Sequence, residues 1–362
     1  MIMESIKKAS TFLNNYEFSR PKFLEIIKEL TSYHIANCPE YKSIVNKIFY
    51  KNFDINAINS IRDIPYIPVN IFKKYNLKSI DKINVFKILK SSGTTGQKTS
   101  KIFLDKNNVR MQSHALSKIF SDFTGLNRPR IIIIDSPELL KSSSIFSARS
   151  AGIRGFTSLC RKPIFALDEE MKVNFNLIEE VLTKHNENFV LYGFTYIIWL
   201  HFLKKQFPKK IRKILSEKTI LIHGGGWKKL KDLKISKNLF KKEIKDKLGI
   251  EKVYDYYGMV EQTGSIFMEC SHGYLHTNPL CEVISRSQND LSKIESKNVG
   301  IAQVISCLPI SYPGHSLLTD DLIKIHGVDN CQCGRKGTFF EVLGRLDISE
   351  PRGCSDTYES FK

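Results

Sequence analysis

Short apolar runs that end in glycine, serine or aspartate recur through the middle of this chain. They are RIIIIDS (Arg130 to Ser136), NFVLYGF (Asn188 to Phe194), TILIHGGG (Thr219 to Gly226) and KVYDYYG (Lys252 to Gly258). Longer amphipathic stretches separate them, such as FNLIEEVLTKH, in which apolar residues recur at helical spacing. Buried strands that alternate with helices predict an α/β fold. Ligands of such folds bind where strands end, so the small residues at these ends are candidate ligand contacts.

The first eighty or so residues show a different pattern. The stretch FLEIIKELTSYHIANCPEYKSIVNKIF predicts helices, and DIPYIPVNIFKKY is a proline-containing connection into the rest of the chain. With 362 residues, of which 42% are hydrophobic, the chain can bury a large core. We therefore expect one large domain or two unequal ones.

The N-terminal stretch MIMESIKKASTFLNN has no apolar core of signal-peptide length, and the longest apolar runs are too short to cross a bilayer. These features predict a cytoplasmic protein without integral membrane association. Eight cysteines in a chain with no secretion signal favour metal binding or thiol chemistry over a disulfide framework.

The net charge of +18 is spread along helical stretches such as HFLKKQFPKKIRKILSEK. Lysines in this pattern are typical of solvated helix faces. No zinc-finger, basic-zipper or RNA-recognition signature accompanies them, so we do not expect nucleic acid binding.

The stretch SSGTTGQKTSK combines small hydroxyl residues, two glycines and two lysines. Consecutive small residues let backbone N–H groups converge on an anion, and hydroxyl and ammonium groups can contact phosphate oxygens. The candidate phosphate contacts are Ser91, Ser92, Gly93, Thr94, Thr95, Gly96, Lys98 and Lys101. The spacing does not match a Walker A loop, and taken alone the stretch is equally typical of a linker.

Three further clusters carry chemistry suited to a nucleotide. Gly224, Gly225 and Gly226 end a predicted strand where a flat purine could lie against the backbone, although a tight turn explains them equally well. In YYGMVEQTG, Glu261 follows an aromatic pair and offers a hard oxygen ligand for Mg²⁺. In LLTDDLIKI, a carboxylate within an apolar segment could accept both ribose hydroxyls, and its alternative is an exposed acidic turn.

Together, in this order, these clusters resemble the motifs of the adenylate-forming enzyme superfamily. The Ser/Thr/Gly stretch resembles its phosphate loop, YYGMVEQ its Tyr-Gly-x-x-Glu motif, and TDDL and GRLD its Thr-Gly-Asp-Leu and hinge motifs. Within the superfamily the chain is similar to LuxE-type acyl-protein synthetases, the fatty-acid-activating ligases of bacterial luminescence. That likeness rests on CPEYKSIV, IPVNIFK, SSGTTG, GGGWK, SYPGHSLLTDDL and RGCS, which span nearly the whole chain.

The resemblance implies the α/β fold of the adenylate-forming N-terminal domain, with mixed sheets and flanking helices and without the full mobile C-terminal domain. It divides the chain into a helical N-terminal region (1–85), an adenylation core (86–343) and a hinge with a C-terminal tail (344–362). The ATP contacts that it implies, beyond the phosphate loop, are Gly224, Gly225, Gly226, Tyr257, Gly258, Asp321 and Arg345. Asp321 is preferred to Asp320 because it stands two residues after Thr319, where the motif has its aspartate.

The activity that the resemblance implies has two steps. A fatty acid and ATP give an acyl-adenylate and pyrophosphate, with Glu261, Lys98 and Lys101 in catalytic roles and Mg²⁺ on Glu261. The acyl group then moves to Cys354, in PRGCSDT, and onward to an acyl-CoA reductase-like partner. A thiolate is a strong nucleophile, and its thioester stays reactive enough for onward transfer. The alternative for Cys354 is a surface cysteine in a frayed tail.

Two departures from the wider superfamily limit what the resemblance implies, and the first of them weakens the alternative of a free acyl-CoA ligase. Many members continue for a further domain that carries a catalytic lysine, whereas this chain stops at Lys362. The alternatives are a ligase that hands its acyl group to coenzyme A or a carrier, and a basic binding protein on an inactive nucleotide fold.

The second departure is a set of soft ligands. Cys270 and His276 form a Cys-x5-His pattern, and Cys331 and Cys333 follow much later as Cys-x-Cys. Four such ligands suit a tetrahedral structural zinc with no open position. His272 is an alternative to His276, and reduced thiols beside a turn histidine are the alternative to a metal.

Overall fold

The computed structural model describes residues 2–49, 54–91, 99–141, 148–225, 235–296 and 298–346. Two compact units share them. The first comprises the described parts of 1–91, 96–119 and 258–350, and the second those of 120–257.

The described α-helices are α1 Ile2–Asn15, α2 Arg20–Asn37, α3 Pro39–Phe49, α4 Ile71–Lys74, α5 Lys106–Thr124, α6 Glu138–Lys141, α7 Ala148–Leu159, α8 Phe175–Lys184, α9 Thr195–Ile197, α10 Lys209–Lys218 and α11 Lys237–Leu248. Short 3-10 helices lie at Ile55–Ala57, Ile61–Asp63, Lys82–Asn84 and Val260–Gln262, and a π-helix lies at Ile198–Phe202. The described strands are β1 Ile67–Pro68, β2 Lys87–Lys90, β3 Lys101–Leu104, β4 Arg130–Ile133, β5 Arg161–Phe165, β6 Phe189–Phe194, β7 Thr219–Gly224, β8 Val253–Gly258, β9 Ile266–Glu269, β10 Leu275–His276, β11 Cys281–Arg286, β12 Val299–Ser306, β13 Ser316–Val328 and β14 Thr338–Arg345.

The second unit is built on a parallel sheet in the order β5-β4-β6-β7-β8. Every residue of β6 and β7 is buried, as expected of parallel strands covered on both faces. The four predicted strands are confirmed as β4, β6, β7 and β8, and the predicted helix is confirmed as α8. The Asn174 side chain caps the start of α8, where it accepts a hydrogen bond from the Leu177 N–H at 3.0 Å.

The first unit carries an antiparallel sheet in the order β11-β12-β13-β14-β10-β9, with β1 parallel to β13. Helices α2 and α3 confirm the predicted N-terminal helices. Apolar side chains of α1 and α2 form a core against the sheet that includes Phe12, Ile27, Leu30, Ile284 and Ile305. The predicted α/β fold with mixed sheets and flanking helices is confirmed. The division at 85/86 and 343/344 stays a prediction.

Two buried histidines link α2 to the connection between β12 and β13. The rings of His34 and His315 stack with centroids 4.9 Å apart, and both residues are fully buried. His34 Nε2 lies 3.1 Å from the Pro309 carbonyl oxygen and donates to it, which leaves Nδ1 to accept from the Ser79 hydroxyl at 2.7 Å. Burial lowers the pKa of His34 to about 3, so this histidine is neutral in the folded protein.

A separate two-stranded antiparallel sheet, β2–β3, precedes α5. Leu89, Ile102 and Leu104 are buried on one of its faces. Among the described helices, none is both long enough and apolar enough to cross a membrane.

Candidate active site and metal centre

The parallel strands of the second unit bring their carboxyl ends to one edge. Phe194 is the register partner of Gly224, and Gly224 is the register partner of Tyr256. The ends of β6, β7 and β8 therefore lie level with one another, which is where ligands of such sheets bind. The structure thus places Gly224 at the strand ends, where the sequence predicts ligand contacts.

Gly224 is required by close packing. A Cβ atom at this position would lie 2.3 Å from the Tyr256 ring, so no larger residue fits without movement of that ring. The next residue, Gly225, has a φ of 100°, a backbone conformation that residues with a Cβ atom rarely adopt. The Thr195 hydroxyl donates to the Gly224 carbonyl oxygen at 3.1 Å and thereby fixes the end of β7.

An aromatic cluster of Phe156, Tyr192, Phe194 and Tyr256 covers the same strand ends. The hydroxyls of Tyr192 and Tyr256 are 2.8 Å apart, and Phe156 stacks on Tyr192 with ring centroids 4.1 Å apart. Gly152 of α7 lies under the cluster, because a Cβ there would be 2.8 Å from the Tyr192 hydroxyl and 2.9 Å from Phe194. Sequence reasoning missed this cluster and Gly152. Two glycines inside an otherwise helical run, SAGIRG, were the available signal.

Glu261 lies in the first unit, in the short helix Val260–Gln262, and is buried. The Tyr312 hydroxyl donates to its backbone oxygen at 2.9 Å, and the Gln262 side chain donates to the Val304 and Gly314 carbonyl oxygens. These bonds fix the helix rigidly. The Glu261 carboxylate is a buried hard oxygen donor, so its chemistry fits Mg²⁺.

Asp320 and Asp321 lie on neighbouring positions of β13 and have different partners. The Arg345 Nε donates to Asp321 Oδ1 at 2.9 Å, and the two residues are register partners across β13 and β14. The Asp321 N–H donates to the Thr319 hydroxyl at 3.1 Å. Asp320 instead accepts from the Asn70 amide. The structure therefore joins the two predicted ATP contacts Asp321 and Arg345, and Asp320 is not part of that pair.

Ser91 and Lys101 are the described members of the predicted phosphate loop. Ser91 is buried, and its hydroxyl accepts from the Ser100 N–H at 2.8 Å while its own N–H donates to the Ser100 carbonyl oxygen. Lys101 is exposed on β3. The remaining predicted residues lie outside the described residues: Ser92, Gly93, Thr94, Thr95, Gly96, Lys98, Gly226 and Cys354. Tyr257 and Gly258 end β8.

The four predicted zinc ligands come together in the first unit. One ligand atom of each of Cys270, His276, Cys331 and Cys333 lies within 4.8 Å of the others. Cys270 follows β9, His276 ends β10, and the two remaining cysteines lie between β13 and β14. His272 is exposed and does not belong to this group. Sequence spacing alone did not decide between His272 and His276. The pairing of β9 with β10 places His276 beside the cysteines.

The spacing of the sulfur atoms suits a metal. Cys270 Sγ and Cys331 Sγ are 4.0 Å apart, close to the roughly 3.8 Å expected of two thiolates on one tetrahedral zinc with Zn–S bonds of about 2.3 Å. Gly273 and Gly334, both with positive φ, donate their N–H groups to the carbonyl oxygens of Cys270 and Cys331, so that a tight turn follows each cysteine. The three thiols and one imidazole fit a structural Zn²⁺.

The electrostatic environment of the group favours one thiolate. Burial opposes ionisation of the Cys270 thiol, but hydrogen bonds from His276 and from neighbouring backbone N–H groups outweigh it and lower the pKa of Cys270. Burial raises the pKa of Cys333 to about 12. In the metal-free state, the proton is therefore lost more readily from Cys270 than from Cys333.

The fold is that of a known class of ligases. An open form of 2-hydroxyisobutyryl-CoA ligase, solved with 2-HIB-AMP and CoA, superposes with a TM-score of 0.67 at 15% identity, covering 92% of this chain and 76% of that one. The postadenylation state of 2-hydroxyisobutyryl-CoA ligase gives a TM-score of 0.65 at 15% identity, covering 91% of this chain and 68% of that one. These two likenesses show that the chain shares the fold of that ligase.

The family follows from the sequence match. The model of the family "Acyl-protein synthetase, LuxE" matches residues 4–361, and the chain belongs to this family of acyl-adenylate-forming ligases. The chain is also 21% identical over 344 residues to the long-chain-fatty-acid–luciferin-component ligase of Vibrio harveyi, covering 91% of this chain and 85% of that protein. The predicted family and enzyme class are confirmed.

Proposed function

We propose that this protein uses ATP to activate a long-chain fatty acid as its acyl-adenylate and then carries the acyl group on Cys354. The observation that carries the proposal is the family match over residues 4–361, which includes the RGCS stretch. The similarity to a ligase whose name specifies a long-chain fatty acid supports the choice of acid. The onward acceptor in this proposal is a partner protein such as an acyl reductase.

In the first step, a carboxylate oxygen of the acid attacks the α-phosphorus of ATP, and the bond to the bridging oxygen of the β-phosphate breaks to release pyrophosphate. Both reactants are anionic, so the protein must neutralise charge and align the attack. Mg²⁺ on Glu261, when bound, supplies charge neutralisation. Ser91, Lys98 and Lys101 hold phosphate oxygens, together with the backbone of 92–96.

Remote contacts position the nucleotide in this proposal. The adenine lies near Gly224 to Gly226, at the end of β7, where the Tyr256 ring packs directly against Gly224. Asp321 accepts the ribose hydroxyls and is oriented for this by its hydrogen bond from Arg345. Binding energy from these parts of ATP positions the reacting phosphorus.

The carboxyl end of the acid lies at the aromatic cluster. Three of its four rings are buried and Tyr256 is half-buried, so the strand ends are backed by apolar rings, with the Tyr192 and Tyr256 hydroxyls as polar atoms. An apolar surface with few polar groups is the lining that an acid with a hydrocarbon chain requires.

In the second step, the Cys354 thiolate attacks the acyl carbonyl carbon, the bond to the adenylate oxygen breaks, and AMP leaves. Arg352 stands two residues before Cys354 in the sequence, and its charge favours the thiolate. The product is a thioester on the protein.

Exchange of labelled pyrophosphate into ATP tests the first step. We expect exchange that depends on a long-chain fatty acid and Mg²⁺. Absence of exchange with every carboxylic acid tried would refute both this proposal and the alternative acceptors.

Labelled fatty acid with ATP tests the second step. We expect label on the protein that hydroxylamine removes, loss of that label in Cys354→Ser, and retention in the matched control Ser355→Ala. Label that persists in Cys354→Ser would place the thioester elsewhere, whereas normal exchange without labelling would favour a free acceptor such as coenzyme A.

We also propose a structural zinc on Cys270, His276, Cys331 and Cys333. Their geometry supports a closed four-ligand site that ties the turn after β9 to the turn before β14. Metal analysis of purified protein should give close to one zinc per chain, and Cys331→Ser should lose it while the surface variant His272→Gln retains it. A zinc content near zero in the unmodified protein would reject the site. The cytoplasmic location stays a prediction.

A further inference from the structure

The short sheet β2–β3 has one buried and one exposed face. Leu89, Ile102 and Leu104 are buried. Ile88 is 48% exposed, and its register partner across the sheet is Phe103. Because side chains alternate along a strand, Ile88 and Phe103 share the face opposite to Leu89 and Ile102. The same face carries Lys90 and Lys101, so it presents exposed Ile88 and half-buried Phe103 beside two exposed lysines.

The exposed apolar surface continues into the chain before β2. Phe86 is 57% exposed, and Ile83, in the 3-10 helix Lys82–Asn84, is 91% exposed. We call Ile83, Phe86, Ile88 and Phe103 the hairpin patch. Single exposed apolar side chains are ordinary, but a cluster of large ones in one short segment is typical of an interaction surface.

Lysines flank the residues of the hairpin patch along the sequence. Residues 73–106 contain nine lysines and two aspartates and no glutamate, arginine or histidine, which gives nine minus two, a net charge of +7. Lys82, Lys87, Lys90 and Lys106 are all exposed. The Lys106 ammonium lies 5.7 Å from the centre of the Phe86 ring, so charge and apolar surface are in direct contact.

We propose that the hairpin patch docks this protein on the surface of an anionic phospholipid membrane. Protruding apolar side chains enter the boundary between headgroups and acyl chains, while surrounding lysines attract anionic headgroups. A bilayer accepts a side chain as exposed as Ile83 without a complementary pocket, whereas a protein partner would need one. The docking is peripheral and is independent of which acid the enzyme activates.

Vesicle co-sedimentation of the full chain tests this proposal. We expect binding to vesicles of phosphatidylcholine with phosphatidylglycerol, weak binding to phosphatidylcholine alone, and loss of binding at about 1 M salt, where the Debye length is only ~3 Å. Equal binding to both vesicle types, or none to either, would overturn the proposal. Binding to an acidic protein without vesicle binding would do the same and would assign the patch to a protein partner.

Variants locate the surface. The triple variant Ile83→Ser, Phe86→Ser, Ile88→Ser should bind anionic vesicles at least about tenfold more weakly. Neutralising Lys82, Lys87 and Lys90 to glutamine should weaken binding roughly fivefold per charge. The matched control is Leu239→Ser, an exposed leucine on the lysine-rich helix α11.

All substituted side chains are exposed, so thermal unfolding midpoints should not change, and circular dichroism checks this. Unchanged vesicle affinity in the triple variant, or an equal loss in Leu239→Ser, would show that general basic charge and not the hairpin patch carries the binding.

Discussion

Two glycines three residues apart on α7 give a matched test of the aromatic cluster. A Cβ at Gly155 would meet no atom within 4 Å, whereas a Cβ at Gly152 would lie 2.8 Å from the Tyr192 hydroxyl and 2.9 Å from Phe194. Neither glycine has a positive φ, so alanine can adopt the backbone conformation at both. The two substitutions therefore differ only in what the added methyl group contacts.

The expected free energies follow from this difference. Alanine in place of glycine inside a helix stabilises by about 0.5–1 kcal/mol, and Gly155→Ala should gain this amount. Gly152→Ala makes the same gain but overpacks the cluster, which costs about 1–3 kcal/mol. Tyr192 is fully buried and stacked on Phe156, so it cannot move aside without weakening its bond to Tyr256. We expect the free energies of unfolding of the two variants to differ by about 1–3 kcal/mol.

Chemical denaturation of both variants beside the parent protein measures this difference. Fatty-acid-dependent pyrophosphate exchange adds a functional comparison, in which Gly152→Ala should lose activity and Gly155→Ala should keep it. If both variants are stabilised equally, the close contact of α7 with Tyr192 and Phe194 is wrong. If Gly152→Ala is destabilised but exchanges normally, the packing is right and the acid does not lie at this cluster.

Three further predictions concern other parts of the chain. Asp321→Asn should raise the KM for ATP in the exchange assay at least about tenfold, because a charged ribose acceptor is lost, while Asp320→Asn should change it little; equal effects would contradict the assignment. Removal of zinc by a chelator should lower the thermal midpoint of the protein, and Cys331→Ser should be insensitive to the chelator. The pKa of His34 is about 3 in the folded protein, whereas its ordinary value is 6.5. The unfolded chain therefore binds more protons than the folded protein at acid pH. Lowering the pH from 7.5 to 5 should reduce the free energy of unfolding by about 2 kcal/mol through this group. Urea unfolding across that range should show this loss, and His34→Gln should reduce it; an unchanged slope in the variant would show that other groups are responsible.

The sequence was most informative where structure is local. Strands such as β6 and β7 were predictable because parallel strands that are buried on both faces appear as continuous apolar runs. Strand β5, which begins with exposed Arg161 and Lys162, gave no such run and was missed. The long strand β13 was seen only as the TDDL motif. Its alternation places Asp320 and Asp321 toward different partners, and those partners, Asn70 and Arg345, are distant in sequence.

Contacts between distant segments account for most of what sequence reasoning missed. Spacing predicted the four soft ligands, but the choice of His276 over His272 required the β9–β10 pairing. Nothing in the sequence indicates that His34 contacts His315, because His34 lies on α2 and His315 lies after β12. The SAGIRG run marks Gly152 and Gly155 alike, and only the contact with Tyr192 on a different element distinguishes Gly152.

The order of segments in the first unit has a consequence for synthesis on the ribosome. Its core joins Phe12 and Ile27 to Ile284 and Ile305, so the N-terminal helices cannot bury their apolar faces until the sheet strands emerge. The chain must first extend through residues 120–257, which takes roughly 7–28 s at about 5–20 residues per second. The described residues of the second unit all fall within 120–257, and this stretch can fold during the interval. The nascent first unit meanwhile exposes apolar helix faces, and such surface is prone to aggregation until the sheet strands cover it.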